Sequence, residues 1–218
     1  MDCLPKAGAG PLVSIIVLVH NALCHVRALF QHNPTQDVEV EWIVVDNASD
    51  EPTARFVQQL PAVKVIRSDQ NLYFAAGNNL GADSARGKHI LLLNSDVVIK
   101  DPRWLAKLMM IHRPGVTAYG LRENPTRADG FCFLVDRNLY YLDPYYKWDW
   151  SVTKLQANLL AQGYVVKAIR HFTEIVHYGG GSGPVPTQVN ATDVDARSWF
   201  RGLPPVEVIE SSNLLPNT

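Results

Sequence analysis

The chain lacks the features of a disulfide-stapled mini-domain, a membrane span or a nucleic-acid binder. Its three cysteines, Cys3, Cys24 and Cys132, are far apart and in no zinc-ligand spacing. They offer neither a disulfide framework nor a zinc ribbon, so reduced thiols and a cytoplasmic setting are the expectation. No apolar run reaches the ~18 residues of a membrane helix. The opening MDCLPKAGAGPL has one lysine and no apolar centre, so it does not read as a signal peptide. A soluble chain is expected, with a peripheral membrane contact left open. The formal net charge of -1 provides no basic surface for nucleic acid. An anionic ligand would have to be held locally, by a loop or a metal.

What is present is an ordinary globular balance. The 218 residues are 47% hydrophobic and 19% charged, enough for one large or two small domains with an unstapled core. Residues 13–20, 38–45, 63–67 and 90–93 are short β-branched or apolar runs that read as buried strands. Between them, residues 22–32, 51–60 and 71–85 have helical spacing, the second capped by Ser49 or Asp50 with Pro52 in its first turn. This alternation predicts a parallel α/β sheet whose ligand crevice lies outside the carboxyl ends of the strands. Three polar clusters fall at those ends: His20-Asn21, Asp46-Asn47 and Asn94-Ser95-Asp96. Any one of them could be a turn; three at one edge point to a site.

Further along, a helix is expected from Asp101-Pro102 to about His112, and strands at 116–119, within 129–142, and at 164–169. Another helix spans 151–162 and stops at Gly163. Residues 184–218 have little periodicity and read as a tail that packs on the domain or stays partly mobile.

Four blocks resemble the family 2 inverting glycosyltransferases of the GT-A fold. They are VSIIVLVHN (13–21), EWIVVDNASDE (41–51), NLYFAAGNNLGADSARGKHILLLNSDVVI (71–99) and IVHYGGGS (175–182), the last preceded by GYVV at 163–166. The resemblance implies one domain over 1–183, with a nucleotide-sugar half at 1–99 and an acceptor and catalytic half at 100–183. The fold would be a single Rossmann-like, mostly parallel sheet flanked by helices, with a smaller mixed acceptor-side portion. The implied activity is transfer of a sugar, with inversion, from a nucleotide diphosphate sugar to a glycan or other hydroxyl acceptor, assisted by Mn2+ or Mg2+. UDP or dTDP donors and polysaccharide synthesis are the usual setting of such enzymes.

Carried over residue by residue, the resemblance places Val19, Asn21, Asp46, Asn71, Asn78 and Asp96 at the donor, with Asp46 on the base. Glycine at Gly77 would let backbone approach the ligand, and the neighbouring amides could donate to sugar hydroxyls or phosphates. Asn79 reads equally well as loop punctuation. Asn94-Ser95-Asp96 matches a metal motif that is usually Asp-x-Asp. Asp96 is then the main metal ligand, Asn94 a weaker partner and His177 a further ligand through a neutral ring nitrogen.

Inversion requires a base to take the proton of the attacking hydroxyl. In the stretch YYKWDWSVT at 145–153 the one carboxylate is Asp149. Family spacing lands nearer Ser151 and Val152, so Asp149 needs a local shift or a longer helix, and as an N-cap it would have a purely structural role. Asp143 and Asp129 are the other candidates. Trp148 and Trp150 could stack on a sugar face or belong to the core. A nucleotide-sugar-binding pseudoenzyme or partner subunit is the alternative reading. A nucleotidyltransferase would need a Gly-rich basic loop after the first strand, and His20-Asn21-Ala22-Leu23-Cys24 is not one.

Overall fold

The computed structural model describes residues 12–31, 38–180 and 195–214, apart from the side chain of Asp149. Cys3, and Gly181 and Ser182 of the fourth matched block, lie outside the described residues. Cys24 is exposed and Cys132 buried, both as free thiols.

The first β-branched run forms β1 (Val13–Val19), in which Leu18 alone is not fully buried. The expected alternation follows: α1 (Leu23–Gln31), β2 (Val40–Asn47), α2 (Glu51–Gln58), β3 (Val63–Ser68), α3 (Tyr73–Ala82) and β4 (His89–Leu93). Asp50, rather than Ser49, caps α2 by accepting from the Thr53 N–H at 3.4 Å. The chain continues as β5 (Val97–Ile99), α4 (Trp104–Ile111), β6 (Gly115–Tyr119), β7 (Leu121–Glu123), β8 (Thr126–Ala128) and β9 (Cys132–Asp136). It ends with α5 (Asp149–Ala161), β10 (Val165–Arg170), β11 (Ile175–His177), α6 (Ala196–Trp199) and β12 (Glu207–Glu210).

Eight strands make one sheet in the order β12-β10-β6-β9-β4-β1-β2-β3. All neighbours are parallel except β9, which runs against β4 and β6. The strand order reverses between β1 and β4, and a crevice outside the strand ends is expected there. Two small antiparallel ribbons, β5–β11 and β7–β8, stand apart from the sheet. From the region expected as a tail comes β12, which widens the sheet beside β10.

Helices cover both faces. Val26 and Leu29 of α1 and Trp104, Leu105 and Leu108 of α4 pack with Val13, Ile15 and Val17 on one side. Ala75 of α3 and Leu155 and Leu159 of α5 pack with Ile16, Ile43 and Leu92 on the other. Two glycines let α3 lie close to the sheet. A β-carbon on Gly81 would stand 2.7 Å from the Ile16 Cγ2, and one on Gly77 would stand 2.5 Å from the Leu18 Cδ1. Gly77 therefore faces β1 and serves helix–sheet packing, which corrects its assignment to ligand approach.

Candidate active site

At the carboxyl ends of β1 and β2 the site is organised around Ser49. The Ser49 hydroxyl donates to the Val19 carbonyl at 3.3 Å and accepts from the Asn21 N–H at 3.2 Å. Its own N–H donates to the Asp46 Oδ1 at 3.0 Å. The Asn21 Oδ1 accepts from the Asp50 N–H at 2.6 Å, tying the loop after β1 to the loop after β2. Asp46 is wholly buried, and its second oxygen accepts from the Arg67 guanidinium, which is 41% exposed. Arg67 reaches Asp46 because the two are register partners on β3 and β2. A buried carboxylate needs such a counter-charge, and Arg67 presents the solvent side of the pair.

Beside it, Asn47 donates to the Asn71 Oδ1 at 2.9 Å and accepts from the Leu72 N–H at 2.7 Å. Asn71 also accepts from the Tyr73 N–H at 2.8 Å. These bonds hold the approach to α3 in place. Backbone strain gathers at this edge: Asn21, Ala48 and Tyr73 have φ of 51°, 57° and 59°, a left-handed conformation that non-glycine residues seldom adopt.

The first turn of α3 is already engaged. The N–H groups of Phe74 and Ala75 donate to the Lys147 carbonyl at 3.0 and 3.2 Å. Asn78 is buried and donates back to the Phe74 carbonyl at 2.8 Å. Asn79 clasps Leu142 in both directions, donating at 2.7 Å and accepting at 3.2 Å. The segment leading into α5 is thus laid across the start of α3, with the Trp148 ring edge-on to Tyr73. The helix begins two residues earlier than the apolar spacing suggests. Asp149 is its first residue and Trp148 holds the N-cap position, so Asp149 is not the cap.

Asn94, Asp96 and His177 come together after β4. The His177 Nε2 lies 3.3 Å from the Asp96 Oδ1 and 3.3 Å from the Asn94 Nδ2. Asp96 is buried, and its carbonyl accepts from the Tyr178 N–H at 3.1 Å. The pairing of β5 with β11 sets His177 opposite Val97, one residue after Asp96. Phe131 stacks on the imidazole at 4.3 Å between centroids. One imidazole nitrogen, one carboxylate and one amide converge, a donor set suited to Mn2+ better than to Mg2+, which prefers oxygen ligands and water. Turning the Asn94 amide over brings its oxygen to the same place.

The ribbon that carries His177 is pinned at its other end by a buried ion pair. Lys107 Nζ lies 2.5 Å from the Glu174 Oε1 and 3.2 Å from the Asp101 Oδ2. Ser211, beyond β12, donates to Glu174 at 2.8 Å. Burial alone would raise the Asp101 carboxyl, but Arg103 and Lys107 outweigh it and bring the pKa down to about 2. Glu174 is lowered as well: burial opposes this, while Lys107 and Ser211 drive it. Next to His177 opens a cavity of about 620 Å³ lined by Gly120, Asp129, Phe131 and His171 among others. Within it Asp129 pairs with Arg122 at 2.8 Å. Asp143 accepts from the Tyr145 N–H at 3.0 Å and shapes a turn.

The structure therefore joins Val19, Asn21, Asp46 and Asn71 through Ser49 and Asn47, and joins Asn94, Asp96 and His177 directly. Arg67 and Lys147 were missed in sequence, Ser49 was read only as a possible helix cap, and Asn47 only as part of a polar cluster. Arg67 had a visible signal, a cation at the end of the strand neighbouring Asp46. Lys147 acts through its backbone carbonyl, which leaves no mark in the sequence pattern.

A reversed strand order with polar strand ends on a mostly parallel sheet matches the GT-A fold. Among solved structures, the mannosyltransferase PcManGT from Pyrobaculum calidifontis, in complex with GDP-Man and Mn2+, is similar at a TM-score of 0.59 and 19% identity. That match covers 75% of this chain and 56% of that one. S. aureus TarS 1-349 in complex with UDP is similar at 0.56 and 19% identity, covering 67% and 55%. The family described as Glycosyl transferase family 2 matches residues 14–160, and the chain belongs to it. The succinoglycan biosynthesis protein ExoO of Rhizobium meliloti (strain 1021) is 32% identical over 102 residues, 45% of this chain and 29% of ExoO. Protein y4gI of Sinorhizobium fredii (strain NBRC 101917 / NGR234), described as uncharacterized, is 33% identical over 120 residues, 51% of this chain and 13% of y4gI. The chain thus spans less than a third of either curated relative. No helix among the described residues is long and apolar enough to cross a membrane.

Proposed function

We propose that the chain transfers a sugar from a nucleotide diphosphate sugar to a hydroxyl of a glycan or similar acceptor, inverting the anomeric carbon. The observation that carries this reading is the meeting of Asp96, Asn94 and His177 at the sheet edge that also holds Asp46. The solved relatives support the donor class, since they were obtained with UDP and with GDP-Man and Mn2+. Asp96, His177 and Asn94 would hold Mn2+, and the ion when bound would neutralise the diphosphate leaving group. A base that displaces the Arg67 guanidinium would meet the Asp46 carboxylate, which accepts from a ring N–H or from ribose hydroxyls. Asn71, fixed by Asn47, would border the sugar.

On the acceptor side, Asp149 takes the hydroxyl proton while the acceptor oxygen forms its bond to the anomeric carbon. The bond from that carbon to the diphosphate breaks, and the nucleoside diphosphate leaves. Asp149 is favoured over Asp143 and Asp129 because it opens a helix whose lead-in segment is bonded to the start of α3. The chain would work in the cytoplasm or against the membrane surface, where such donors and growing glycans meet.

The test is a panel of nucleotide sugars scored by thermal stabilisation with and without Mn2+. One or more should raise the melting temperature only with Mn2+ present, and Asp96→Ala should abolish the shift. A donor shift that survives both the removal of Mn2+ and Asp96→Ala would refute the metal assignment.

A further inference from the structure

The opposite edge of the sheet holds a second cluster that the proposed reaction does not use. His89 opens β4, Asp136 closes β9 beside it, and His112 ends α4 just before β6. They come together because β9 runs antiparallel and returns its last residue to the first residue of β4. The ligand atoms of the three side chains all lie within 4.8 Å of one another. The His89 Nδ1 is 3.2 Å from the Asp136 Oδ1, and the His112 Nε2 is 3.4 Å from the Asp136 Oδ2. The two imidazoles are 7% and 6% exposed, and their rings meet edge to face at 5.0 Å.

Neither nitrogen has a hydrogen bond of ordinary geometry among the described residues, although each lies within ion-pair distance of the Asp136 carboxylate. Two buried polar atoms left unsatisfied at one point are costly unless something else occupies that point. Each nitrogen faces its own oxygen of the Asp136 carboxylate, Oδ1 for His89 and Oδ2 for His112, so a cation between the rings and the carboxylate would meet donors from all three side chains. The far atoms of the cluster are already oriented. The His112 Nδ1 is 3.0 Å from the Thr117 hydroxyl, and when it donates there the Nε2 lone pair faces Asp136. The Gly115 N–H donates to the Asp136 Oδ2 at 2.8 Å and fixes the carboxylate.

We propose that His89, His112 and Asp136 form a structural site for a divalent transition cation of the Zn2+ class, separate from the donor edge. The two imidazoles are borderline nitrogen ligands, and with one carboxylate beside them they favour Zn2+ over Mg2+ or Ca2+. Asp136, 14% exposed at its side chain, is the side from which the ion and a water as fourth ligand enter. Bound there, the ion ties the start of β4, the turn before β6 and the end of β9 into one unit.

The experiment uses the full chain carrying Asp96→Ala, so that no ion at the donor edge contributes. After EDTA treatment, reloading with Zn2+ and gel filtration, the protein should retain about one equivalent and melt at a higher temperature than the metal-free form. Co2+ in its place should give visible d–d bands of nitrogen and oxygen ligation. His112→Gln and His89→Gln should each lose the retained ion, and Thr117→Val should weaken Zn2+ about 10–100-fold by freeing the His112 ring. Retention unchanged in both histidine variants, or no retention in the parent, overturns the proposal. Should the variants fail to fold, the Co2+ spectrum of the parent decides: a thiolate charge-transfer band, placing the ion on cysteine, or no bands at all, overturns it too. Because Asp96 is absent throughout, failure here leaves the glycosyltransferase reading untouched.

Discussion

At the carboxyl edge of the sheet, His177 lies 3.3 Å from Asp96; at the amino edge, His89 and His112 lie 3.2 and 3.4 Å from Asp136. The residue types match but the surroundings do not. His177 is 22% exposed, stacked on Phe131 and next to a large cavity. Left-handed residues bend the loops around that edge. The His89–His112 pair is enclosed, held between the start of β4, the end of β9 and the end of α4. Catalytic metal sites keep a position open for exchange, whereas structural ones close around the ion. On the two proposals the same sheet would offer one edge for chemistry and one for holding itself together, and the difference would lie in access.

The sharpest way to sharpen that contrast is to remove the chemistry alone. Asp149→Asn should lower turnover about 10²–10⁴-fold, the usual contribution of a positioned base. The Mn2+-dependent thermal shift with donor should remain, and the amino edge should be unaffected. Turnover kept within about twofold would move the base elsewhere, with Asp129 in the adjoining cavity as the next candidate.

A second variant breaks the support of the open edge. Lys107 is 8% and Glu174 4% exposed, and Lys107→Met would leave Glu174 without its cation, while Asp101 would keep only Arg103. Stranding a buried partner costs about 3–5 kcal/mol. For a domain of this size that is a fall in melting temperature of roughly 6–20 °C. Since Glu174 directly precedes β11, the donor-dependent shift should shrink as His177 loses its seat. Full stability in Lys107→Met would show that the ribbon is held by its strand pairing alone.

These two tests fall in the half of the chain where sequence patterns say least. The strands β1 to β4 were legible because each is a continuous β-branched or apolar run between helix-period segments, and their register delivered three polar clusters to one edge. The β5–β11 ribbon was not legible. Each strand is only three residues long, and the pairing joins Val97 to His177 across most of the second half. Only the family resemblance brought His177 to Asp96 beforehand. The strand β12 reads EVIE, too short and too charged to announce itself. Arg67 became visible once register was known, because a strand end names its neighbour only through the partner strand. His89, His112 and Asp136 belong to three different elements, and each alone is ordinary punctuation at the end of a strand or helix.

The smallest expected effect separates the two edges by pH. Burial lowers both amino-edge histidines from the usual 6.5; Asp136 opposes this, while Lys88 at His89 and Lys167 at His112 add to it. In metal-free protein the unfolded state therefore takes up protons first, and stability falls as pH drops below about 6.5. The fall ends once the folded state also protonates. Asp101 and Glu174 have depressed folded pKa values, so their stabilisation is complete above the ordinary carboxylate range. It is lost as pH falls further, in the case of Asp101 towards about 2. Urea midpoints measured from pH 8 to pH 2 should show two declines. His112→Gln should flatten the first and Lys107→Met the second. A single decline below pH 4, unchanged in His112→Gln, would mean that the amino-edge histidines titrate alike in the folded and unfolded chains. The contrast between the two edges would then rest on access alone.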